Sequence, residues 1–184
     1  KPLSYISANV GRVLFPAFSV IKNDIERTRS AFLNVIRFIS LITFPMMTGL
    51  FIISPEFINV IYGSKWMPIV TTFRILCFIG AIQSIVTTVG IIYMAQGRTD
   101  LQFKYTLIFT PIILLSFIIG VNWGINGVAY SYAIVSVILG VWAHLITNRL
   151  IKLEFKKFII ELRTAALSSI VMFVLLSAFK KPPY

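Results

Sequence analysis

Three arginines stand inside stretches that are otherwise apolar: Arg12 in Val10-Gly11-Arg12-Val13-Leu14-Phe15-Pro16, Arg37 after Asn34-Val35-Ile36, and Arg74 before Ile75-Leu76. Cations without carboxylates beside them suit an anionic ligand, and a guanidinium matches phosphate in geometry as well as charge. The bland alternative is a long side chain whose charged head snorkels to water. Snorkelling is the expectation for Arg74, the two readings stand even for Arg37, and Arg12 fits snorkelling least. A polar patch follows in Gln83, Ser84, Thr87 and Thr88. It can hydrogen-bond a hydrophilic cargo or, more commonly, neighbouring helices. Arg12, Arg37 and Gln83 are the candidate substrate contacts.

Catalysis is not expected. The six acids Asp24, Glu26, Glu56, Asp100, Glu154 and Glu161 fall in apparent loops. An intramembrane enzyme needs an acid, a histidine or a nucleophile pair at depth. The one histidine, His144, fits an interfacial side chain satisfied by a neighbour. The one cysteine, Cys77, lies in an apolar stretch and fits a buried small side chain. No phosphate loop, nucleophile elbow, metal-ligand spacing or cofactor motif occurs.

The elements that hold these residues follow from one feature. Tyr105 to Asn148 contains no Asp, Glu, Lys or Arg and is interrupted only by Asn122-Trp123-Gly124-Ile125-Asn126-Gly127. Two membrane-crossing helices joined by a very short loop explain this, since each needs roughly 20 mainly apolar residues. The whole chain is 58% hydrophobic and 12% charged, against about 25% charged in soluble domains. Its net charge of +11 is broken up by apolar spans, so no basic face for nucleic acid forms. The expected fold is all-α: a polytopic bundle of about six membrane helices over residues 3–21, 30–54, 69–95, 104–121, 126–148 and 164–179, in a single domain 1–184.

Loop charge orders these spans. Lys22, Arg27 and Arg29 precede the second, and only Lys65 lies between the second and third. Arg98 and Lys104 precede the fourth, no base precedes the fifth, and five bases from Arg149 to Arg163 precede the sixth. By the positive-inside rule, loops 22–29, 96–103 and 149–163 are cytoplasmic. Trp66 and Trp123 then fall at outer boundaries, where indole rings favour the interface. Thr99 or Asp100 is the expected cap after the turn at Gly97. Ala129, Ala133, Ser136, Gly140 and Ala143 make a small-residue face where another helix can approach. Pro16, Pro45 and Pro111 bend their spans. Starting at Lys1 without Met and stopping just after an apolar span, the sequence is expected to be a piece of a longer protein.

Several phrases together resemble a known family: Arg12-Val13-Leu14-Phe15-Pro16-Ala17-Phe18-Ser19, Ile42-Thr43-Phe44-Pro45-Met46-Met47, Tyr62-Gly63 with Lys65-Trp66, Gly97-Arg98-Thr99-Asp100, and Trp123-Gly124-Ile125-Asn126-Gly127-Val128-Ala129. The chain resembles the Wzx-type polysaccharide exporters, nearest the colanic-acid-exporter type, of the multidrug/oligosaccharidyl-lipid/polysaccharide flippase superfamily. The resemblance implies two helical lobes around a central cavity, of which this chain is most of the C-terminal lobe. It implies a multi-pass protein of the cell inner membrane that moves undecaprenyl-pyrophosphate-linked oligosaccharide to the outer leaflet. The implied partners are that lipid-linked sugar, the bilayer and the N-terminal lobe of the same polypeptide. The implied second helix of the lobe carries Arg12 and helps line the cavity. Two alternatives stay open: a cation-coupled drug or metabolite antiporter, which needs an intramembrane carboxylate, and a non-transporting subunit that packs partner helices.

Overall fold

The computed structural model describes residues 14–179, and Arg12 therefore lies outside the described residues. The described residues are mostly helical, joined by short turns, with no strand among them. Residues 14–20 are helical (α1), followed by α2 (Ile25–Ile52), α3 (Ser54–Tyr62), a 3-10 turn (Ser64–Ile69), α4 (Val70–Ala95), α5 (Thr99–Val121), α6 (Gly124–Leu150) and α7 (Phe155–Phe179). Five stretches among the described residues are long and apolar enough to cross a membrane: Ile25–Ile52, Ser64–Ala95, Thr99–Val121, Gly124–Leu150 and Phe155–Ala178. At 1.5 Å per residue α4 spans about 39 Å, more than the roughly 30 Å hydrocarbon core. The protein is an all-α, multi-pass membrane bundle.

Several helices extend beyond their apolar spans, each for a local reason. Helix α2 starts at Ile25 because Asp24 caps it, accepting a hydrogen bond from the Arg27 backbone N–H at 3.0 Å. Arg37 consequently lies about three turns into its helix, deeper than the apolar boundary suggests. Helix α5 starts at Thr99, directly after the turn at Gly97, whose φ of 70° favours glycine. Neither Thr99 nor Asp100 caps it: the residue before the helix is Arg98, and Asp100 holds the Arg98 guanidinium at 3.0 and 3.2 Å. Helix α7 starts at Phe155, which places Glu161 well inside a membrane-length helix and not in a loop. The stretch between Pro55 and Pro68 is not a plain loop either. It forms α3 and the 3-10 turn, and leaves Val60, Ile61, Tyr62 and Trp66 exposed.

Packing runs in the neighbour order α7–α2–α4–α6–α5. Helices α2 and α7 run in the same direction, since Arg37 meets Glu161 and Gly49 meets Met172. Helices α4 and α6 are likewise parallel: Thr72 donates to Asn126 Oδ1 at 2.7 Å, and Tyr93 donates to the Ala143 carbonyl at 3.2 Å. The small face of α6 receives α4, because a Cβ on Gly140 would stand 3.0 Å from the Val86 side chain. Helices α5 and α6 form a hairpin whose backbones touch at Gly120 and Gly127. A Cβ on Gly120 would lie 2.7 Å from the Val128 Cα. One core joins Phe18, Phe32, Ile36, Ile92, Ile151 and Phe158 at one end of the bundle; the other joins Val89, Tyr93, Phe109, Leu139 and Ala143. Elsewhere the helices expose large apolar side chains, as lipid-facing surfaces do.

Candidate functional site

Helices α4 and α5 follow each other through the tight turn at Gly97, yet they barely touch along their length. Each instead packs on α6, so a cleft of about 350 Å³ opens between the three. Polar residues reach it at helical spacing from every wall. Helix α4 supplies Gln83 and Thr87, α5 supplies Gln102, Thr106 and Thr110, and α6 supplies Tyr132 and Ser136. Residues four apart share one helix face, so each helix turns a polar stripe toward the same space. Gln83 and Ser136 lie near the midpoints of α4 and α6, and Gln102 lies in the first turn of α5, so the cleft runs from mid-depth of the bundle toward the α4–α5 turn. No charged side chain lines it among the described residues.

The cleft is incompletely satisfied. Ser136 is 4% exposed, and its Oγ has no hydrogen-bond partner. The Gln102 Oε1 is also enclosed without a partner. Gln83 approaches the Tyr132 hydroxyl only at 3.5 Å, the outer edge of hydrogen bonding. Buried polar groups are normally paired, and leaving one unpaired costs about 1–3 kcal/mol. Gly90 shapes the end of the cleft near the α4–α5 turn: a Cβ there would stand 3.0 Å from the Gln102 Oε1.

The polar patch on α4 divides between roles. Ser84 faces α2, 2.9 Å from the Thr43 hydroxyl, and Thr88 donates to its own helix at the Ile85 carbonyl. Gln83 and Thr87 belong to the cleft. The sequence alone does not single out Gln102, Tyr132 or Ser136. Ser136 reads as part of the small face of α6, and Gln102 lies before the apparent start of its span. The signal that can find Gln102 is the i, i+4, i+8 series Gln102-Thr106-Thr110.

The structure does not bring Arg37 to Gln83. Arg37 lies on the α7 side of α2, with its Nε 4.0 Å from a Glu161 carboxylate oxygen and its side chain 55% exposed. Arg74 does not simply snorkel: its Nε donates to the buried Ser54 hydroxyl at 2.9 Å, and its guanidinium lies 5.5 Å above the Phe51 ring. It ties α4 to the junction of α2 and α3. His144 is not satisfied by a polar neighbour. It is buried between Phe32 and Phe158, and neither ring nitrogen has a partner. Cys77 is buried and unpaired. No group of three or more His, Cys, Asp or Glu that could hold a metal occurs among the described residues.

Residues 1–71 match a family described as "Polysaccharide biosynthesis protein". Over 130 residues the chain is 32% identical to the lipopolysaccharide biosynthesis protein WzxC of Escherichia coli K12, covering 70% of this chain and 26% of that protein. It is 37% identical over 139 residues to a membrane protein in the cps region of Klebsiella pneumoniae, covering 73% and 28%. It is 32% identical over 145 residues to the teichuronic acid biosynthesis protein TuaB of Bacillus subtilis, covering 77% and 30%. The chain thus spans between a quarter and a third of the length of these relatives. No solved structure matches it.

Proposed function

We propose, from the premise that this chain belongs to the Wzx-type polysaccharide exporters, that it is part of the C-terminal lobe of an inner-membrane flippase. Its cargo is an undecaprenyl-pyrophosphate-linked oligosaccharide, moved from the cytoplasmic to the outer leaflet. The observation that carries this reading is the convergence of three polar, uncharged helix faces on one cleft that reaches from mid-depth toward the α4–α5 turn. Transporters hold their cargo near the bilayer midplane and rock two bundles around it. A hydrophilic sugar crossing hydrocarbon needs such hydrogen-bonding walls, while its isoprenoid tail stays in lipid. Arg37, and Arg12 beyond the described residues, supply cations suited to the pyrophosphate. The work is binding and gating, with no bond made or broken and no cofactor required.

The test is leaflet assignment of the lipid-linked oligosaccharide in cells lacking the full-length gene. Cytoplasmic-side accumulation, reversed by the intact gene, supports the reading. Normal outer-leaflet delivery with no redundant exporter present refutes it. One observation favours a second reading, a cation-coupled antiporter: Glu161 places a carboxylate inside α7, beside Arg37. Drug-efflux and proton-flux assays on the full-length protein, with and without Glu161→Gln, separate the two.

A further inference from the structure

We propose that the α4–α5–α6 cleft is a subsite for a single uncharged sugar residue, and that it rejects acidic sugars and the pyrophosphate head. The source of that sugar, a lipid-linked oligosaccharide, rests on the flippase reading above; the chemistry of the cleft rests on its own residues. Its polar groups are amides and hydroxyls, from Gln83, Gln102, Thr106, Tyr132 and Ser136. Amides and hydroxyls both donate and accept, as sugar hydroxyls do. A phosphate or the carboxylate of a hexuronate offers only acceptors and a net charge. With no Lys, Arg or His among the lining residues, that charge would be desolvated without a partner, at a cost well above that of a neutral group.

The two enclosed, unpartnered atoms give the site its direction. Ser136 Oγ on α6 and Gln102 Oε1 on α5 line the cleft at different depths and have no partner within the protein. Gln102 Oε1 sits by Gly90, seven residues along α4 from the Gln83 level at which Ser136 lies, or about 10 Å. One sugar residue therefore satisfies one of the two, and the other marks how far the polar wall extends. Tyr105 and Phe109 line the same cleft and offer aromatic surface to the C–H face of a pyranose ring. At about 350 Å³ the cleft is at the small end of ligand pockets, which run from about 300 to 1,000 Å³. It suits one sugar residue and not a whole repeat unit.

The experiment uses the full-length protein in lipid vesicles, with native cysteines removed (Cys77→Ala among them) and Ser136→Cys introduced. Labelling of the new thiol by a neutral, water-soluble maleimide is timed with three probes: a polyprenyl-pyrophosphate-linked neutral disaccharide, the same carrier bearing a hexuronate disaccharide, and the sugar-free carrier. Thr106→Cys, on the open side of the same cleft, is run in parallel in case the buried substitution disturbs folding. The neutral disaccharide carrier is expected to slow labelling on the order of tenfold, as about 90% occupancy of one site requires. The other two probes are expected to leave the rate unchanged. Equal protection by the sugar-free or hexuronate carrier overturns the proposal, as does a thiol that never labels at either position. Leaflet accessibility of the carriers is followed in the same vesicles. Transport of the neutral carrier without protection overturns the subsite and leaves the flippase reading standing. Protection without transport of any carrier supports the subsite and counts against the flippase reading. Neither protection nor transport refutes both.

Discussion

Removing the hydroxyl of Ser136 should make the protein more stable and less active. The Oγ is enclosed, the residue is 4% exposed, and no hydrogen-bond partner stands within reach. A buried unpaired hydroxyl costs about 1–3 kcal/mol. The unfolded chain in a micelle or bilayer also finds local partners, which brings the net gain to the low end of that range. Ser136→Ala deletes one heavy atom and opens little new void, so the expected stabilisation is about 1 kcal/mol. That corresponds to a rise in Tm of roughly 2–4 °C for a cooperative unit of this size. Thermal unfolding of the full-length protein in detergent, followed by circular dichroism, reads the shift. Export measured by leaflet accessibility at matched expression reads the cost, and should fall. The two signs together carry the reasoning, because a functional site trades stability for an unmet bonding group. A lower Tm would show that the hydroxyl is already satisfied. Undiminished export would remove Ser136 from the binding site.

Four other outcomes are expected. Gly127→Ala drives a methyl group into the Gly120 carbonyl and the Trp123 side chain, where the backbone contact cannot swing away; it should cost about 1–3 kcal/mol, and an unchanged Tm would show that the α5–α6 hairpin opens freely. Arg37→Ala breaks a contact of 4.0 Å, at the outer limit of an ion pair. Its Tm should barely move while export falls, with Arg37→Lys intermediate because the charge stays and the planar fork is lost; equal export by both variants would take Arg37 out of the cargo path. His144→Phe replaces a ring with two unpartnered nitrogens between Phe32 and Phe158. It should be neutral or stabilising by about 1 kcal/mol, and a marked fall in Tm would mean that the nitrogens are bound. A spin label at Val60 should lie in the headgroup region, since α3 links two membrane-length helices and exposes Val60, Ile61 and Tyr62; full accessibility to an aqueous relaxation agent there would place the elbow in water.

The class of the protein is legible in the sequence because it follows from long-range composition. The charge-free run from Tyr105 to Asn148 is long enough for two spans and a tight turn, and the chain folds into membrane-length helices there. The helix ends are less legible, because apolar windows stop at the first charge while helices continue past it. Lys104 closes the apparent fourth span, yet α5 begins at Thr99 and carries Gln102 into the bundle. Arg163 closes the sixth, yet α7 begins at Phe155 and carries Glu161. Gln83 is legible because a glutamine in the middle of a span is conspicuous. Ser136 is hidden because serine also serves as a small packing residue, and the same face of α6 does pack α4 at Gly140. Tyr132 is hidden because an aromatic ring in an apolar helix carries no signal of its own.

Arg37 and the cleft do not form one site, and this separation has a physical logic. In the order α7–α2–α4–α6–α5, Arg37 lies where α2 meets α7, and the cleft lies on the far side of α4. The interface between them is closed by Thr43 against Ser84 and by Gly80 against Met47. A guanidinium beside the cleft would draw acidic groups into it and would itself need desolvation or a partner. Kept on another face, Arg37 has the Glu161 carboxylate beside it as a partner for its charge. The cleft in turn keeps amides and hydroxyls whose bonding capacity is not consumed by a neighbouring ion. A cargo with a charged head and a neutral sugar can then be read by two chemistries that do not interfere.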